Sequence, residues 1–276
     1  MDHARHEQVH EHGNPRATIG FVIFYPFHFF VYKAIFLQLA EHAEFIVDLV
    51  IPLPPRTLAA LERDIVQLLT EHGVPYRILR REEYAFPKYL GRFFSKYEAL
   101  VSVWERGCLA APATRHIRKI NANYGAGKDL ALVRPSRALF DLILAYGERD
   151  AALFAHFTHV EIVGNPRFDE WFTDSITTSA LRAVEERIDP KKKTVLYLPT
   201  HGDLSSIDTV APLLGSLAGE YNIIAKSHYF TTNEEPERLA ALRASGAQLF
   251  FDNVDLLPLL RVADVVVSDS SSAIFD

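Results

Sequence analysis

Residues 194–226 read TVLYLPTHGDLSSIDTVAPLLGSLAGEYNIIAK. An uninterrupted apolar run (194–198) leads into a polar turn holding Pro199 and Gly202. A segment with helical spacing follows (210–218), and then a second apolar run (222–225). Continuous apolar strands alternating with helices mark a parallel sheet covered on both faces, because a strand solvated on one side would alternate instead. The same rhythm extends both ways. Downstream, 236–244 reads as a helix, 248–251 as a strand, 256–261 as a short helix and 265–267 as a strand, with Ser270 opening another helix. Upstream, strands are expected at 19–25, 45–51, 76–79, 99–103, 117–121, 142–145 and 160–163, and helices at 29–41, 56–71 and 181–188. In 56–71, Leu58, Leu61, Ile65, Leu68 and Leu69 give a one-sided apolar stripe.

The fold class implied is α/β, two Rossmann-like domains with parallel sheets. The expected division is a tail at 1–16, an N-terminal domain at 17–165, a linker at 166–192 and a C-terminal domain at 193–276. The linker carries Asn165-Pro166-Arg167 at its start and Asp189-Pro190-Lys191-Lys192-Lys193 at its end. Four strands are few for a doubly wound sheet, so the second domain is expected to be incomplete at its C-terminal edge.

Composition narrows the function. Of 276 residues, 49% are hydrophobic and the formal net charge is −6, which speaks against nucleic acid as a partner. The single cysteine, Cys108, excludes an internal disulfide framework and fits a reducing, cytoplasmic compartment; its apolar neighbours make it a core residue. His3, His6, His10 and His12 read as part of a frayed tail. The greasiest run, 21–39, is broken by Pro26, His28 and Lys33, so no membrane span is expected; contact with a membrane surface stays open.

Four polar clusters stand at expected strand ends, where open α/β sheets bind ligands. Ser268-Asp269-Ser270-Ser271-Ser272 follows 265–267, and a serine-opened helix offers N–H groups and hydroxyls to a phosphate; capping alone needs one such residue. Lys226-Ser227-His228-Tyr229 follows 222–225 and supplies a cation and an imidazole. Pro199-Thr200-His201-Gly202-Asp203 follows 194–198, and Asn123-Tyr124-Gly125-Ala126-Gly127-Lys128 follows 117–121. The last suits an anion but lacks P-loop spacing. No cofactor or metal is called for.

Together these stretches resemble the CDP-glycerol glycerophosphotransferase family. Gly164-Asn165-Pro166-Arg167-Phe168-Asp169 is similar to its G-N-P-R-x-D segment. Leu196 to Thr200 is similar to its Y-x-P-T strand end, and Lys226 to Tyr229 to its (R/K)-x-H-(Y/P) segment. Ala263 to Asp276 resembles A-D-x-L-I-T-D-Y-S-S-x-x-F-D. The resemblance implies a GT-B-type fold and transfer of a polyol-phosphate unit from a CDP-linked donor to an acceptor hydroxyl, with release of CMP. The acceptor would be a polyol phosphate or glycan of a cell-surface polymer such as teichoic acid, lipid-linked or free. The family's W-H-G-T-x-x-K, to whose histidine the general-base role is assigned, is replaced here by residues 123–128 without that histidine. His201 and Gly202 stand where the family has tryptophan and arginine, and Ser270 replaces its tyrosine. By the resemblance Lys226, Thr200, Asp269, Ser270, Ser271, Ser272, Gly125, Lys128, Asn165 and Arg167 bind substrate, while His228 and His201 serve the chemistry. Two other outcomes stay open: a sugar-nucleotide glycosyltransferase or epimerase, and a non-catalytic relative that binds a nucleotide or glycan.

Overall fold

A computed structural model describes residues 16–54, 59–105, 107–125, 133–251 and 253–275. The histidine-bearing tail, Leu58 and Lys128 lie outside the described residues.

Two all-parallel sheets form. The first has seven strands: β1 (Ala17–Val22), β2 (Phe45–Pro52), β3 (Tyr76–Leu79), β4 (Ala99–Ser102), β5 (Arg118–Ala122), β6 (Leu142–Ala145) and β7 (His159–Ile162), in the order β3-β2-β1-β4-β5-β6-β7. The second has four: β8 (Thr194–Leu198), β9 (Asn222–Lys226), β10 (Gln248–Phe250) and β11 (Val265–Ser268), in the order β10-β9-β8-β11. Each order reverses beside its first strand, between β1 and β4 and between β8 and β11, and a crevice opens at each switch point.

The central apolar runs fill the interiors they were expected to fill, whereas the edge runs at 160–163 and 265–267 leave Ile162, Val163, Val265 and Val266 exposed. In β1 Phe21 and Val22 are fully buried, in β2 Leu49, Val50 and Ile51, and in β8 Leu196 and Tyr197. The helix Ala59–Glu71 buries Leu61, Ile65, Leu68 and Leu69, the stripe its spacing predicts. Helix α1 (Pro26–Glu41) begins three residues earlier than the pattern suggested, with Pro26 at its first turn, where a missing N–H costs nothing. That start shortens β1 to Val22 where the apolar run had suggested 25. The helix expected to open at Ser270 is instead a single 3₁₀ turn, Ser272–Phe275. Short helices the pattern did not announce include Pro87–Phe94, Glu148–Phe154 and Tyr229–Glu234. Segments of one or two turns hold too few residues for a period to show.

Between β7 and β8 the chain is folded, and it is pinned to both units. Asn165 caps the 3₁₀ turn Pro166–Phe168, its side chain accepting from the Arg167 N–H at 3.3 Å. Lys33 of α1 pairs with Glu170 at 2.6 Å. Arg167 meets Asp255, the N-cap of the helix Leu256–Val262, at 3.7 Å. No helix among the described residues is long and apolar enough to cross a membrane.

Candidate functional site

The second unit's crevice is built by register. β8 and β11 pair from Val195↔Val265 to Leu198↔Ser268, so Pro199 and Asp269 leave the sheet side by side. Asp269 is fully engaged there. Its Oδ1 accepts from the Thr200 N–H at 2.8 Å, and its Oδ2 accepts from the Ser206 N–H at 2.9 Å and the Ser206 hydroxyl at 3.0 Å. That hydroxyl also meets the Tyr197 hydroxyl at 2.7 Å. Asp269 and Thr200, expected from the sequence to bind substrate, are thus engaged with each other's loops in this structure. The carboxylate folds the loop 199–206, and Thr200 is buried beneath it.

From the other side Glu235 holds the same loop. It accepts from the Gly202 N–H (2.8 Å), from Thr231 (2.8 Å) and from Arg238 (2.9 Å); Arg238 also donates to the Gly202 carbonyl at 2.8 Å. Burial alone would raise the Glu235 pKa. The bonds from Thr231, Gly202 and Arg238 outweigh it and hold the carboxyl below its usual range.

The loop presents His201 to His228. Their rings stack at 4.3 Å and 26°, with Phe230 at 4.8 Å from the first and 5.6 Å from the second. His228 caps the helix Tyr229–Glu234, and its Nδ1 accepts from the Phe230 N–H at 3.3 Å. With Nδ1 occupied as acceptor, a neutral imidazole carries its proton on Nε2. His228 is thereby a hydrogen-bond donor, suited to a phosphate oxygen and unsuited to removing a proton.

One pocket lies between the two sheets. The second unit lines it with Lys226, Ser227, His228, Ser271 and Ser272, together with Leu198, Pro199, Leu256 and Ala273. The connecting segment adds Asn165 and Arg167, and the first unit adds Phe27, Val31, Tyr124, Gly125 and Tyr146. Of the residues expected from sequence, seven meet here: Gly125, Asn165, Arg167, Lys226, His228, Ser271 and Ser272. Thr200, His201, Asp269 and Ser270 do not line it; Ser270 is exposed, and only the next two serines line the pocket. Lys226 reaches across to the Phe251 carbonyl at 2.9 Å.

Gly125 closes the gap. It stands at φ +78°, and a Cβ there would lie 3.0 Å from the Ser272 hydroxyl. Sequence reasoning missed the aromatic wall of Phe27, Tyr124 and Tyr146. Its only sequence signal is an aromatic following each strand of the first sheet's centre. Phe27 and Tyr124 lie 5.0 Å apart, and the Tyr146 hydroxyl donates to the Asn123 carbonyl at 2.7 Å. Cys108 sits far from this chemistry: it is fully buried, and burial pushes its thiol pKa up to about 12.

The pocket thus gathers two cationic side chains, two serines and a histidine around one small space. Residues 151–276 match the family described as CDP-Glycerol:Poly(glycerophosphate) glycerophosphotransferase. The match covers somewhat under half of the chain. It bears out the resemblance drawn from the G-N-P-R-x-D and A-D-x-x-x-x-D segments, both of which fall inside it. No curated protein matches the chain in sequence.

Solved structures resemble more than nine-tenths of the chain in fold. A putative UDP-N-acetylglucosamine 2-epimerase from Listeria monocytogenes superposes with a TM-score of 0.64 at 11% identity, over 94% of this chain and 75% of that one. The S. aureus MnaA–UDP co-structure gives 0.62 at 12%, over 93% and 74%. The UDP-GlcNAc 2-epimerase from Neisseria meningitidis bound to UDP-GlcNAc gives 0.59 at 12%, over 92% and 77%. At such identities the likeness concerns the fold: two Rossmann-like units of GT-B type, with parallel sheets and a cleft between them.

Proposed function

We propose that this protein is a transferase that moves a glycerol-phosphate or similar polyol-phosphate unit from a CDP-linked donor to an acceptor hydroxyl in the synthesis of a cell-surface polymer. The observation that carries the reading is the pocket uniting Lys226, Arg167, His228, Ser271 and Ser272 opposite Gly125. Those groups suit a diphosphate, and the family match supports the polyol-phosphate class.

The chemistry follows from that placement. The acceptor oxygen attacks the phosphorus next to the glycerol, in line with the bond to CMP. A new P–O bond forms, the P–O bond to CMP breaks, and its electron pair stays on the departing CMP phosphate. Lys226 and Arg167 neutralise the diphosphate oxygens, and Ser271 and Ser272 donate to them. The His228 Nε2–H donates to the leaving phosphate as its charge grows. The acceptor's proton passes to solvent water in the open cleft, since His201, packed against His228 and outside the pocket lining, is not placed to take it directly. The same pocket would hold the donor on the cytoplasmic side, with the acceptor polyol phosphate or glycan entering along the first unit's wall.

The test is nucleotide release from CDP-glycerol. His228→Ala should lower turnover by about 10²-fold, the usual scale for a positioned proton-donating group. Ser271→Ala should weaken donor binding by about 1–3 kcal/mol. CMP release unchanged in His228→Ala removes His228 from the mechanism. A second reading, a sugar-nucleotide glycosyltransferase or epimerase, gains from the aromatic acceptor-side wall and the missing W-H-G histidine; release of UDP from UDP-sugars would select it. Donor binding with no release from any donor would leave a binding protein.

A further inference from the structure

The helix Tyr229–Glu234 belongs in sequence to the second unit, directly after β9, yet its first residue is buried in the first unit. Tyr229 is 5% exposed and packs in the hydrophobic cluster built from residues 19–124, to which, among the described residues, Tyr229 and Phe230 alone come from elsewhere. Its ring meets Tyr25 edge-on at 5.0 Å and 76°. Phe230 continues the path, 6.2 Å from Tyr25 and 4.8 Å from His201. Six residues are too few for a helix to stand by its own hydrogen bonds, so this one depends on its ends and its anchor. Its two ends carry the histidine geometry. His228 caps the start, and Glu235 at the finish holds Gly202 and with it the loop bearing His201.

We propose that Tyr229 is a positioning residue: seated in the first unit's core, it makes the orientation of His228 and His201 depend on the two units being closed. Withdrawing Tyr229 from beside Tyr25 removes the anchor of the short helix, and His228 then loses both the Phe230 N–H and its stacking partner. The pocket encloses about 100 Å³, below the ~300–1,000 Å³ of usual ligand pockets, so a whole nucleotide donor enters only when the units part. Coupling His228 to closure would then complete the site only after loading and would guard a bound donor against water. The value of this coupling rests on the donor role given to His228 above; the geometry is testable without it.

The experiment puts the change in one unit and reads the other. In the full-length chain, Tyr25→Ala removes the first unit's side of the contact and touches no residue of the second. Histidine ring signals are followed by NMR and assigned with His201→Gln and His228→Gln. Both signals should move from stacked positions toward those of a solvated imidazole. Tyr229→Ala should give the same movement, and Tyr229→Phe should leave the signals in place. If Tyr25→Ala unfolds the first unit, Tyr25→Leu carries the same expectation, because it keeps an apolar side chain and loses the ring contact. Nucleotide release in Tyr25→Ala should drop in kcat by roughly 10-fold to 10²-fold, the scale of a misplaced group, with donor KM little changed. Unmoved histidine signals in a folded Tyr25→Ala protein overturn the proposal. Moved signals in a protein that releases no nucleotide even as wild type would sustain the coupling and overturn the transferase reading instead.

Discussion

Gly125 and Ser272 face each other across the gap between the sheets, and neither has room to spare. A side chain at φ +78° costs about 1–2 kcal/mol in any L-residue, and here its Cβ would also press on the Ser272 hydroxyl at 3.0 Å. Gly125→Ala should therefore lower the unfolding midpoint and weaken binding of inorganic pyrophosphate, as read by calorimetry. Unchanged pyrophosphate affinity would place the anion elsewhere than against Ser272. Residues 125 and 272 meet only because two separate sheets bring their switch points together.

At the scale of elements, the loop 199–206 shows a motif at strand ends engaged in folding its own loop. Asp269 and Thr200 stand at strand ends, as ligand-binding residues do, yet they bond to each other's loops. Asp269→Ala should leave the Thr200 and Ser206 N–H groups without their acceptor. The expected loss is about 1–3 kcal/mol per unsatisfied group, with faster hydrogen exchange at those two amides. Asp269→Asn keeps one acceptor oxygen and should lose less. A wild-type unfolding midpoint in Asp269→Ala would show that the loop is held from the Glu235–Arg238 side alone. The serine run has a similar lesson. The sequence singled out the serine run, and the structure shows that Ser271 and Ser272 line the pocket while Ser270 is exposed.

For the whole molecule, acid should loosen the first unit in a defined direction. Burial pushes the Glu105 carboxyl up, but bonding from Ser136 at 2.7 Å and the nearby Arg137 and Arg134 outweigh it, so its pKa lies below the ordinary range. A carboxyl whose pKa is depressed on folding stabilises the native state at pH values above its unfolded value of ~4.3. That contribution is lost as pH falls through the lower folded value. The stability gap between wild type and Glu105→Gln should thus be full near neutral pH and close below about pH 4. A gap independent of pH would mean that the Glu105 charge does not support this corner of the sheet. Glu235 acts in the same direction in the second unit, where its carboxyl is also held below its ordinary range.

The sequence by itself determined the two parallel sheets and the phosphate-suited chemistry at their strand ends. Burial on both faces writes a strand as an unbroken apolar run, and a ligand-binding end needs small, hydroxylated or charged residues just after it. It also carried the family signature, because G-N-P-R-F-D and A-D-V-V-V-S-D-S-S-S are contiguous in the chain. Only the tertiary structure decided that His228 Nδ1 accepts from the Phe230 N–H and that Tyr229 packs in the other unit's core. Those outcomes depend on the approach of two sheets and on single hydrogen bonds such as Phe230 N–H to His228 Nδ1. Local pattern records which face of an element is apolar; it does not record which distant element that face will meet.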